Sequence, residues 1–115
     1  MTQKEEYNKR HNQPKDKSNS KADIVKKSKV PKKVLDEVYD RGLAAHKGNP
    51  ASVRLKGSYK KDPKAPLSKK LSAQQWGMAR VYSFVNKLEG KRKLNHDKDL
   101  VKDIPKYRNK NINTL

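Results

Sequence analysis

Hydrophobic positions are sparse along this 115-residue chain, and the densest group of them lies in Leu71-Ser72-Ala73-Gln74-Gln75-Trp76-Gly77-Met78-Ala79-Arg80-Val81-Tyr82-Ser83-Phe84-Val85-Asn86-Lys87-Leu88-Glu89-Gly90. At 100° per residue, Met78, Val81, Val85 and Leu88 share one face of a helix over 73–89, with Phe84 and Tyr82 on its shoulders. Ser72 and Gln75 have capping-box spacing, which lets each satisfy an amide at the start of that helix, and Leu71 and Trp76 are placed to staple across the cap. Gly90 is placed to close it. Trp76 falls on the opposite side, beside Arg80 and Lys87. It has three readings: folded over Leu71, sealed against an earlier helix, or inserted into a partner as an aromatic anchor.

A narrower stripe, Val34, Leu35, Val38 and Tyr39 with Leu43 a turn later, predicts a helix over about 31–47. Pro31 suits its first position, where a missing N–H removes no bond. Gly42 lowers its intrinsic stability by about 1 kcal/mol relative to Ala, and Lys47-Gly48-Asn49-Pro50 ends it. After the second helix, Leu100, Val101 and Ile104 make the apolar side of a short helix ending before Pro105, with Asn95 or Asp97 as its cap.

The remaining sequence has no period. Residues 1–30 carry Met1, Tyr7, Ala22, Ile24, Val25 and Val30 as their only apolar side chains, apart from Pro14. Burying so few groups returns less than the backbone entropy lost on ordering the segment, so the composition predicts an extended basic arm, disordered when free. Residues 48–70 read as a basic loop and 105–115 as a basic tail. The expected architecture is therefore all-α: a small module over 31–104 of two main helices and a short third, with extended arms at both ends.

Charge changes the picture most. Thirty Lys/Arg oppose twelve Asp/Glu, for a net charge of +18. Residues 1–33 hold 11 basic and 4 acidic side chains, and the remainder 19 and 8, so the excess runs the length of the chain. That exceeds the roughly 2–8 charges that keep a small domain soluble, and points to a polyanion or an acidic protein surface as partner. Three clusters carry it: Lys26, Lys27, Lys29, Lys32 and Lys33; Arg54, Lys56, Lys60, Lys61, Lys69 and Lys70; and Lys91, Arg92 and Lys93. Tyr59 sits among the cations of the second, and with Trp76 and Arg80 completes the candidate anchors. Lysine outnumbers arginine, and lysine meets phosphate as a point charge without reading bases.

Catalytic chemistry has no signature. The chain lacks cysteine, which removes disulfides, thiolate zinc sites and thiol catalysis. His11, His46 and His96 have no ligand partner at helical spacing and read as surface histidines. No phosphate-binding glycine loop or nucleophile elbow occurs. The sequence predicts a non-enzyme without cofactor, metal or small-molecule substrate. It has no apolar run of membrane-spanning length and no apolar leader after Met1.

Gly48-Asn49-Pro50-Ala51-Ser52, Gln75-Trp76-Gly77-Met78-Ala79-Arg80-Val81-Tyr82-Ser83-Phe84, Gly90-Lys91-Arg92-Lys93 and Asp97-Lys98-Asp99-Leu100 together resemble a small family of tailed phages and large DNA viruses, over about residues 44–104. The resemblance implies a virus-encoded protein and brings no activity or catalytic residue with it. Joined to the charge, it leads to an expected non-enzymatic structural component of a virion, bound to neighbouring protein subunits or packaged DNA or RNA. The alternative is a sequence-neutral nucleic-acid-binding protein of ribosomal or chromatin type.

Overall fold

In a computed structural model of the chain, residues 2–48, 71–94 and 96–107 are described. Among them the fold is all-α: α1 (Gln3–Arg10), α2 (Lys21–Ser28), α3 (Lys32–Gly48), α4 (Ala73–Glu89) and a 3-10 helix (Lys98–Asp103). Helix α4 is central, packed against α3 on one side and α1 on the other, while α2 lies on α3. Tyr7, Ile24, Leu35, Val38, Val81, Phe84 and Val85 are each 0 % exposed, so all four helices feed one core.

The predicted α4 has the observed bounds. Ser72 Oγ accepts the Gln75 N–H at 3.1 Å, and the Gln75 side chain accepts the Ser72 N–H at 2.9 Å. Val81, Phe84, Val85 and Leu88 are buried as expected, whereas Met78 is only half-buried at the core edge. The close of the helix differs by one residue. Gly90 has φ −82°, and Lys91, at φ 54°, takes the left-handed position. The Lys91 and Arg92 amides then return to the Leu88 and Lys87 carbonyls at 3.3 and 2.8 Å, closing the last turn.

Helix α3 starts one residue after Pro31, whose carbonyl accepts from the Val34 and Leu35 amides at 3.0 and 3.2 Å. Gly42 serves packing here. A Cβ added to it would lie 2.7 Å from the Gly77 Cα, and one added to Gly77 would lie 2.9 Å from the Tyr39 ring. Two missing side chains let α3 and α4 touch backbone to backbone.

Residues 2–30 contradict the extended arm. Helix α1 is capped by a reciprocal pair, Glu5 N–H to Thr2 Oγ1 at 3.2 Å and Thr2 N–H to Glu5 Oε1 at 3.0 Å. Ser20 and Asp23 repeat the device on α2, with both bonds at 3.1 Å. What apolar side chains do not supply, buried amides do. Asn8, fully buried, donates to the Lys15 and Lys17 carbonyls at 3.0 and 2.9 Å and accepts from Gln13 and Asn19 at 2.9 Å each. Asn86, also fully buried, donates to the Gln3 carbonyl at 2.9 Å and accepts from Arg10. Glu89 receives Arg10 at 2.9 Å and His11 at 2.8 Å. Helix α1 is thereby fastened to the far end of α4. Towards the other end Tyr107 is buried, so the described residues 105–107 of the expected tail reach back into the core.

Candidate functional site: the lysine surface and the Trp76 cleft

Lys26 and Lys27 lie in the last turn of α2, Lys29 caps it in the left-handed region at φ 64°, and Lys33 lies in the first turn of α3. These four side chains are exposed and form no ion pair with a described carboxylate. Lys32 is exposed but pairs with Asp36 at 2.8 Å. Lys91 and Lys93 are exposed and unpaired among the described residues, while Arg92 meets Glu6. The expected sites Arg54, Lys56, Tyr59, Lys60, Lys61, Lys69 and Lys70 lie outside the described residues.

Arg80 is engaged inside the fold instead of standing free as an anchor. Its Nε and Nη2 donate to the two oxygens of Asp97 at 2.9 and 3.0 Å. Arg41 on α3 donates to Asp97 at 3.0 Å and grips both oxygens of Asp99 at 2.8 and 2.7 Å. His96 Nδ1 completes the cluster, 2.6 Å from Asp97. The Asp97 side chain is 0 % exposed. Burial pushes its carboxyl upward, but His96, Arg80 and Arg41 outweigh this and hold it below the usual carboxylate range. Asp97 thus occupies the expected cap position of the 3-10 helix without capping it: its side chain bonds no helix amide and is committed to α3 and α4.

Ser83 Oγ lies 3.3 Å from His96 Nε2, so the fold does set a base beside a hydroxyl, an encounter that no sequence motif announces. The surroundings suit bracing better than attack. Ser83 sits mid-helix, where the neighbouring amides are occupied by the helix itself, and Asp97 is neutralised by two guanidiniums. The surface-histidine expectation also fails locally. His11 is 17 % exposed at its side chain and bonded to Glu89, and His46 Nε2 lies 3.0 Å from the Leu71 carbonyl. No group of metal-ligating side chains occurs among the described residues, and no described helix is long and apolar enough to cross a membrane.

The outer face of α4 lines an open cleft of about 1360 Å3. Trp76, Arg80, Ser83 and Lys87 succeed one another along it at helical spacing, and the start of α1 with the 15–19 loop forms the facing wall. No lining residue comes from α3, and Leu71 shares the cleft with Trp76. The Trp76 Nε1 is buried and has no hydrogen-bond partner among the described residues, although the residue as a whole is only half-buried. Burial, and secondarily the charge of Arg92, lowers the Lys87 ammonium's affinity for its proton. The periodicity that sets Trp76 beside Arg80 and Lys87 is the signal for this face. Lys4 and the facing wall have none, because the amino-terminal segment reads as an arm.

Comparison with curated proteins gives no match, and comparison with solved structures gives none either. A family model matches residues 1–102, reaching well beyond the 44–104 stretch of the sequence resemblance to take in α1 and α2. By that match the chain belongs to the family of unknown function DUF5824.

Proposed function

We propose that this protein is a non-enzymatic basic component of a nucleic-acid-containing assembly, a virion by the sequence resemblance, and that it grips the phosphate backbone without reading sequence. One observation carries the reading: most described carboxylates are paired or capping within the chain, while Lys26, Lys27, Lys29 and Lys33 around the α2–α3 junction are exposed and unpaired among the described residues. Point charges presented this way attract phosphates through counterion release, a contact indifferent to base identity. An extended arm would run along neighbouring subunits or packaged nucleic acid alike. Since α1 and α2 pack on their own chain, the contact falls to the exposed lysines, and their point-charge chemistry is what favours phosphate.

The test is binding of the full chain to two unrelated DNA duplexes between about 50 and 200 mM salt. The expected result is a linear fall of log affinity with log salt, equal for both sequences. Replacing Lys26, Lys27, Lys29 and Lys33 by Gln should flatten the slope by about 0.9 for each phosphate no longer neutralised. Salt-independent binding, or a strong preference for one duplex, overturns the proposal. Mass spectrometry of purified particles tests the virion part, and absence of the chain removes it.

A further inference from the structure

The α4 cleft draws on none of the four junction lysines, so it is a second surface with its own chemistry. Its volume, about 1360 Å3, is above the roughly 300–1,000 Å3 typical of small-molecule pockets, and it is open-sided, which suits an extended ligand. Trp76 lines the cleft with its indole N–H shut away, so the side chain offers the cleft no hydrogen-bond donor, only apolar surface. That is a stacking surface rather than a hydrogen-bonding one.

Four cations line the cleft. Arg80 is engaged with Asp97, Lys15 with Glu5 at 3.1 Å, and Lys87 too has interactions within the chain; Lys4 and Lys87 line the same walls. Burial and Arg92 disfavour the Lys87 ammonium, while Glu6 nearby favours it. Two carboxylates also line the cleft. Glu5 is neutralised by Lys15 and the Thr2 cap, leaving Asp16 as the opposing charge. The balance still favours an anion.

A flat apolar face with cations a short reach away is the arrangement that binds unpaired nucleotides. Each base offers a π-face to an aromatic ring while its phosphate meets lysine. A duplex cannot use it in this way, because its bases already stack on one another. Resting on the phosphate-binding reading above, we propose that the Trp76 cleft binds single-stranded nucleic acid, with a base stacked on Trp76 and the adjoining backbone against Lys4 and Lys87.

Trp76 is the chain's only tryptophan, so its fluorescence reports on the site alone. The full chain is titrated with oligo(dT) and oligo(rU) about 12 nucleotides long, within the site sizes of single-strand binders. Saturable quenching is expected. With a labelled oligonucleotide read by anisotropy, Trp76→Ala should weaken binding by about 5- to 150-fold, the range of one base–aromatic stack, and Trp76→Phe should recover most of the loss. Both variants should keep the salt-dependent affinity for duplex, which also shows that they fold. Whichever oligonucleotide binds more tightly identifies the strand chemistry; quenching by either supports the proposal.

Unquenched fluorescence with duplex binding intact overturns the cleft assignment and leaves the lysine surface standing. Equal binding by wild type and Trp76→Ala, or equal quenching by inorganic polyphosphate, reduces the cleft to an anion site and overturns base stacking. Loss of binding to every nucleic acid takes both proposals down together.

Discussion

Gly42 and Gly77 show what a single hydrogen in place of a methyl group decides. In the sequence Gly42 reads as a weak point of its helix; in the fold it allows α3 to rest on the α4 backbone. Gly42→Ala gains about 1 kcal/mol of helix propensity, but its Cβ would stand 2.7 Å from the Gly77 Cα, where only a backbone shift makes room. Overpacking of this kind costs about 1–3 kcal/mol, so urea denaturation should show a net loss, and an unchanged or raised midpoint would refute the close approach. Nothing in one sequence pairs the two glycines, which lie 35 positions apart. The left-handed Lys91 is hidden for a related reason: Gly90 is the better residue for such a turn, yet the hydrogen bonds from Lys91 and Arg92 place the reversal one residue later.

At the scale of elements, legibility follows the apolar stripe. Helices α3 and α4 each show several buried side chains at helical spacing, and the 3-10 helix buries Leu100 and Val101 as expected, with Ile104 just beyond it. Helices α1 and α2 have one buried apolar side chain apiece, Tyr7 and Ile24, too few to make a period. Their signal is in the caps, Thr2 with Glu5 and Ser20 with Asp23, whose spacing matches that of the Ser72–Gln75 pair. Buried amides such as Asn8 and Asn86 look from composition like marks of disorder, yet fully hydrogen-bonded they order a segment as apolar groups would.

Tyr7→Ala separates a packed helix from a loose arm. Tyr7 is 0 % exposed and its ring lies 5.3 Å from that of Tyr82, so truncation should cost about 3–5 kcal/mol in urea denaturation. A free arm would give no change. Tyr7→Phe should be nearly neutral, because the buried hydroxyl it removes has no partner among the described residues and its pKa is pushed up to about 12 by burial.

For the whole molecule, the Arg41–Arg80–Asp97–His96 cluster ties α3, α4 and the 3-10 helix into one unit. The folded-state pKa of Asp97 is depressed, so its contribution to stability is present above the unfolded value of about 3.9 and is lost as pH falls below it. The urea midpoint should therefore hold steady from neutrality to about pH 5 and fall below about pH 4. Asp97→Asn should lower stability at neutral pH by about 3 kcal/mol, leaving two guanidiniums facing each other, and should weaken the acid dependence. A midpoint insensitive to both changes would show the cluster to be ornamental.

The same internal pairing governs how a grip on nucleic acid would be released. Asp23, Asp36, Asp97 and Asp99 are all held below the ordinary carboxylate range, and Glu5 is lowered to about 2. Mild acidification finds these carboxylates already committed and cannot neutralise them to add to the net positive charge. Acid would therefore not tighten such a grip through these groups, and unloading would fall to mobile ions or a competing polyanion: a fastening that would open to brine rather than to vinegar.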